Sequence, residues 1–372
     1  MKKNYSKAFF AAIAALGLAT TAAAQPTYHV TEIPSASGAA CIGTAINDAG
    51  VVAGSCLPVN GVAASAANRG IAIWRNGVPT VLGALAGAND FAANALSSTG
   101  VVVGSSDATA NPRPQAVMST AGGFLNIDPV NGGNARAIGI MDNGVIFGNL
   151  TKSLSGNTAS WQVMMWTQDK GHPDRYRETS FPKLIAGDAK FAGIYALGSN
   201  KAGQVVGWVT NQVIGQRGAF WNNDDKHSIV ALDTLPGGSH SIAWGVNDLG
   251  QAVGESNGPG YVTRATLWQN DAAHTPVDLG ALPGDNESTA MFANSAGQVI
   301  GFSATGTFPT FAATRAFLWQ NGRMFELGSL IDPADGAWTI TGLFGMNNAG
   351  QILGIGTLGG RFATIVLTPA AQ

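Results

Sequence analysis

The stretch Ala45-Ile46-Asn47-Asp48-Ala49-Gly50-Val51-Val52-Ala53-Gly54 decides the fold, because the chain repeats its pattern seven times. The closing glycines are Gly54, Gly104, Gly148, Gly207, Gly254, Gly301 and Gly354, spaced by 50, 44, 59, 47, 47 and 53 residues. A recurrence at tens of residues is the mark of a repeat architecture. Each copy opens with a short strand ending at Asn47, Ser97, Met141, Asn200, Asn247, Asn294 or Asn347. A turn follows, with Gly three residues on, as in Gly50 or Gly250. Asn bonds its own backbone and Gly takes the left-handed conformation, so these residues read as turn formers. A polar binding ring is the sharper alternative.

The second strand is the apolar run after the turn, such as Gln204-Val205-Val206-Gly207. A third strand ends in Trp at Trp74, Trp166, Trp221, Trp268 and Trp319, with Met118 and Ile365 read in its place in repeats two and seven. One large aromatic per repeat reads as packing between neighbouring sheets, against the alternative of a sugar-stacking platform. A fourth strand follows, as in Pro276-Val277-Asp278-Leu279. Four short antiparallel strands in about 45 residues, repeated seven times, predict an all-β, seven-bladed propeller over residues 25–372. Tyr28–Ile33 reads as a fourth strand with no blade before it, and Arg361–Leu367 as a third strand with no fourth after it. The N-terminal strand therefore completes the seventh blade; an open solenoid of the same units is the alternative. Two residues before each Asn position stand Ala45, Ala95, Gly139, Gly198, Gly245, Phe292 and Gly345. Small residues fit a crowded axis, and Phe292 is expected to plug one side of the channel.

Residues 1–24 read as a secretory signal peptide. Lys2, Lys3 and Lys7 precede an apolar run too short to span a bilayer, and Ala22-Ala23-Ala24 supplies small residues before Gln25. No Cys follows that cleavage site and no second long apolar run exists, so the expectation is an exported protein, periplasmic or extracellular, without a membrane anchor. Without Lys2, Lys3 and Lys7 the chain carries 17 basic and 22 acidic residues, a formal charge of −5. Nucleic acid is an unsuitable partner for that balance. Cys41 and Cys56 flank the first turn. Folding that hairpin about Asp48 and Ala49 sets 46 opposite 51 and 41 opposite 56, which predicts a cross-strand disulfide in an oxidising compartment. Two free thiols, or a bulge that turns one away, are the alternatives.

The whole mature chain resembles the HAF-repeat family, bacterial proteins described as probable extracellular repeat proteins. Ala243-Trp244-Gly245-Val246-Asn247-Asp248-Leu249-Gly250-Gln251-Ala252-Val253-Gly254 and Arg315-Ala316-Phe317-Leu318-Trp319-Gln320-Asn321-Gly322 carry the resemblance, together with Asp233-Thr234-Leu235-Pro236-Gly237-Gly238. Arg217, Arg264, Arg315 and Arg361 stand where the family pattern has His. The resemblance implies an exported propeller-like protein and brings no catalytic residues with it.

Function is then sought in what does not repeat. The loops between second and third strands, 55–68, 105–113, 149–160, 208–216, 255–263 and 302–314, differ from blade to blade and share one rim. Variable loops on a rigid scaffold are where binding concentrates. Trp161, Trp208, Tyr261, Phe308 and Phe311 are its aromatic ligand-binding candidates. On the other rim the charged segment 168–178, with His172, Arg175, Tyr176 and Arg177, is a candidate docking loop; a plain solvated insertion is the alternative. The five His have no metal-ligand spacing, and no nucleophile elbow, phosphate loop or EF-hand pattern occurs. Asn222-Asn223-Asp224-Asp225 reads as a polar turn before it reads as a Ca²⁺ site. The sequence thus leads to a monomeric, non-catalytic propeller without cofactor that binds a protein or glycan. The alternative is a secreted enzyme acting on polysaccharide or peptide at the channel mouth, recognisable by carboxylates and a His clustered on one rim.

Overall fold

The computed structural model describes residues 25–65, 67–128, 133–153, 159–181, 193–211, 215–307 and 310–371. The expected signal peptide and Phe308 lie outside them. These residues form seven four-stranded antiparallel sheets, arranged as a seven-bladed β-propeller. The first strands of sheets 1 to 7 are Ala39–Ile46, Phe91–Leu96, Gly133–Ile140, Gly193–Ser199, Ser241–Val246, Glu287–Ala293 and Thr339–Met346. Sheet 7 continues through Ile352–Leu358 and Arg361–Pro369, and its fourth strand is Tyr28–Glu32. Tyr28 pairs with Pro369 and Glu32 with Ile365, so the N-terminal strand closes the ring as expected.

The core is not axial. Seven buried clusters fill the seven seams between neighbouring sheets. The apolar doublet of each second strand explains this: Val205 packs towards sheet 3, and Val206 packs in the seam with sheet 5. Both faces of every sheet are covered, so adjacent residues must both be apolar. Trp74, Trp166, Trp221 and Trp268 are fully buried in these seams, as the packing reading requires. The ladder corrects their substitutes. Trp74 pairs with Val52, and the equivalent Ile352 pairs with Leu367, while Met118 pairs with Val103 one place further along. Leu367 and Ser119, not Ile365 and Met118, therefore hold the Trp place.

Every first strand carries an irregularity at the same point, between Gly43 and Ala45 in sheet 1 and between Leu343 and Gly345 in sheet 7. This bulge corrects the expected register. Ile46 pairs with Val52 rather than residue 51, and the extra residue Thr44 restores Cys41 opposite Cys56. The disulfide is present, with Cα atoms 4.1 Å apart. The bulge also explains the closing glycine. A Cβ on Gly54 would stand 2.0 Å from the Ile42 carbonyl oxygen, and one on Gly254 2.0 Å from that of Ile242, so only Gly fits. Phe292 does not plug the channel: it packs on the seam between sheets 6 and 7.

Candidate functional site

The channel has two unlike ends. At the turn end, each Asn does more than form its turn. In sheet 1 the Asn47 Oδ1 accepts from Ala49 and Val51 N–H, the expected local bonds, while Gly50 sits at φ 72°. Its Nδ2 donates to the Ser97 carbonyl of sheet 2 at 2.9 Å. The same bond runs from Asn200 to Asn247, from Asn247 to Asn294, from Asn294 to Asn347, and from Asn347 to Asn47 at 2.9 Å, across the ring closure. These side chains are buried and spent on neighbouring sheets, so they form no binding ring. Ser97 and Met141 are too short or too apolar for the bond. At those two seams Asn94 donates to Ala137 O and Asn149 to Ala196 O, both at 2.8 Å.

In four sheets the residue after the Asn position meets its counterparts across the axis. Lys201 of sheet 4 reaches across to Asp48 of sheet 1, and lies 3.8 Å from Asp248 of sheet 5. Asn348 of sheet 7 donates to Asp48 Oδ2 at 3.1 Å and to Asp248 Oδ2 at 3.0 Å. Burial pushes the Asp48 carboxyl up, but the bonds from Lys201 and Asn348 outweigh it and hold it below its usual range. Burial likewise works against the Lys201 ammonium, and its carboxylate partners outweigh that and raise its pKa. Beneath this bridge lies a cavity of ≈ 190 Å³ collared by Ile46, Leu96, Ile140, Val246 and Met346. Side chains from four sheets therefore span the turn end.

The opposite end is the rim of variable loops. Here the second and third strands run further than the sequence suggested. The ladder continues past the closing glycine to Pro58, Ala108, Ser153, Asn211, Asn257 and Thr307, leaving shorter connections than expected. The inner strands expose Ile42, at 47%, and Arg136 on this side. Trp161 and Trp208 are brought together, ring centroids 5.6 Å apart and edge to face. Tyr195 completes a trio: it lies 5.8 Å from Trp161 and stacks at 16° on Trp208, its direct ladder partner. All three are half-buried. Trp161 packs on the seam between sheets 3 and 4, whereas Tyr195 and Trp208 belong to none of the seven core clusters. The sequence reading missed Tyr195; its only signal was a large aromatic at an inner-strand position held by Ile42, Ala92 and Thr289 in other repeats.

Tyr261 is 79% exposed at the tip of the sheet 5 loop, in the left-handed region at φ 61°. That conformation is costly for an aromatic residue. Phe311 falls within the strand Thr310–Gln320. On the other rim the expected docking loop is largely a strand, His172–Ser180. His172, Arg175 and Arg177 are exposed on it, but Tyr176 is buried and its hydroxyl donates to Met118 Sδ at 3.2 Å. Alternation along a strand sends Tyr176 into the seam between sheets 2 and 3, so it is not available for docking.

Three of the four arginines at the start of third strands clasp entry loops: Arg217 donates to Ser239 O, Arg264 to Asn286 O and Arg315 to Pro283 O, whereas Arg361 pairs with Glu32 of the closing strand. Asp224 accepts from the N–H groups of Lys226 and Ser228, which makes Asn222–Asp225 part of a polar turn. Among the described residues no group of three or more His, Cys, Asp or Glu is placed to hold a metal ion.

No family model matches the chain, and no curated protein matches it. Among solved structures the chain is similar to one described as "Hypothetical protein from leishmania major", with 13% identity, a TM-score of 0.29, and coverage of 66% of this chain and 88% of that one. A likeness at that level carries no argument about function.

Proposed function

We propose that this is an exported binding propeller of the HAF-repeat type, and that it takes a glycan on the variable-loop rim at sheets 3 to 5. The trio Trp161, Tyr195 and Trp208 carries this reading. Tyr195 and Trp208, half-buried on neighbouring strands and outside the seven core clusters, with Trp161 held edge-on beside them by the seam, offer apolar faces to the C–H faces of a sugar ring. The bridged turn end favours approach from the opposite rim. Export rests on the charged and apolar pattern of residues 1–24, and the disulfide is consistent with an oxidising compartment. The test is a thermal melt of residues 25–372 against a glycan panel, followed by titration of each glycan that raises the melting temperature. Trp208→Ala and Tyr195→Ala are expected to weaken such binding severalfold to tenfold, at about 0.5–1.5 kcal/mol per aromatic contact. Parent-like affinity in both variants sinks the assignment of the site.

The enzymatic alternative has one observation in its favour: Glu255, Glu287 and His240 do lie near one another on this rim. Every glycan that binds is therefore also incubated with the protein and assayed for new reducing ends.

A further inference from the structure

Two seams further round the same rim from the aromatic trio stands a row of polar groups, at the seam of sheets 5 and 6. His240 and Glu287 occupy equivalent places, seven residues before Asn247 and Asn294. Glu255 follows its closing glycine as Trp208 follows Gly207, so it holds the same register one sheet along. Its Oε2 accepts from Thr289 Oγ1 at 2.6 Å, and its Oε1 lies 4.0 Å from His240 Nε2. Burial lowers the pKa of His240 against the opposing pull of Glu255, with Arg217 adding to the lowering. Glu287 is only 4% exposed, and its Oε2 has no hydrogen-bond partner among the described residues. Arg264 offsets part of the Glu287 charge, but its Nη1 is given to Asn286 O and its Nε lies 4.0 Å from Asp278.

A buried carboxylate with an empty acceptor is costly, and a second carboxylate beside it makes it more so. A hydroxyl donor satisfies one oxygen. An ammonium relieves both charges and makes the stronger, charge-assisted bond. We infer that Glu255 and Glu287 receive a free amine, so that the ligand is an amino sugar whose ring lies towards Trp208 and whose ammonium lies at the seam. This inference rests on the glycan reading above.

Calorimetric titration with a glucosamine tetramer and with its fully N-acetylated counterpart tests it. The free-amine tetramer is expected to bind about tenfold more tightly or better. Glu287→Gln and Glu255→Gln are each expected to erase that preference, with thermal melts confirming that both variants fold. Equal affinity of the parent for the two tetramers overturns the inference and leaves the glycan reading standing. A preference that survives both substitutions also overturns it. Binding of neither tetramer removes the inference, and a flat response to the whole glycan panel removes the reading beneath it.

Discussion

Asn347→Ala removes the side chain that ties the last sheet to the first. Asn347 is buried, and three bonds depend on it: Nδ2 to Asn47 O at 2.9 Å, Nδ2 to Gln351 Oε1 at 2.8 Å, and Oδ1 from Gln351 N–H at 2.9 Å. Each contributes about 1 kcal/mol net, and a buried group left without a partner costs somewhat more. Asn47 O keeps its bond from Gly50 N–H, which limits the loss on that side. The expected destabilisation is therefore about 3 kcal/mol. Urea unfolding followed by the fluorescence of the buried Trp residues measures it, with an unchanged denaturant slope. The comparison is Asn247→Ala, which breaks the equivalent bond between sheets 5 and 6 and the equivalent pair with Gln251, together with one more turn bond from Leu249 N–H. Asn47 and Asn347 are 300 residues apart, on the two sides of the strand pairing that closes the ring. Asn347→Ala is thus expected to unfold faster than Asn247→Ala at similar equilibrium cost. Ser97→Ala is the control, because the Ser97 hydroxyl bonds only within its own turn. A loss in Asn347→Ala no larger than in Ser97→Ala refutes the idea that inter-sheet staples hold the ring.

Three further outcomes follow from the geometry. Glu287→Gln should raise the melting temperature at pH 7. Burial raises this carboxyl's pKa above its unfolded value, so its native state is favoured at low pH and loses stability as pH rises through that window; near pH 4 the gain should vanish, and a gain at both pH values refutes the assignment. Reduction of Cys41–Cys56, which closes a separation of 15 residues, should cost about 3 kcal/mol, read as a lowered urea midpoint in reductant. Lys201→Met should cost under about 1 kcal/mol, because the pair with Asp48 is partly solvated, and the difference should shrink in high salt. A salt-insensitive loss contradicts an electrostatic bridge.

The repeating part of this molecule was legible and the non-repeating part was not. Seven copies of one phrase declared seven sheets, and the unmatched Tyr28–Glu32 segment declared how they close. The turn chemistry of Asn47 was also readable, because its partners lie two and four residues away. Its second bond was hidden, because Ser97 is 50 residues on and only the stacked ring brings it near. The bulge at Thr44 escaped for a related reason. An extra residue leaves no mark in composition, and its trace was the glycine opposite, which the sequence reading assigned to the motif without a cause. The candidate site was half visible. Trp161 and Trp208 stood out as aromatics after the motif, whereas Tyr195, His240 and Glu287 sit before it, where the repeats share no pattern to deviate from.

Both ends of the described chain leave from the bridged side of the ring. Ala370 N–H donates to Thr27 O at 2.8 Å, and Pro369 lies against the Gly350 turn. A tether, tag or neighbouring domain attached at either end therefore emerges from the outer edge of sheet 7 on the turn rim, on the far side from the aromatic trio. Fixed to a surface by its termini, the propeller stands like a dish on a stalk with the variable rim turned outward. Orientation on a solid support would then come from the topology of closure alone, without any engineered attachment point on the rim that reads the ligand.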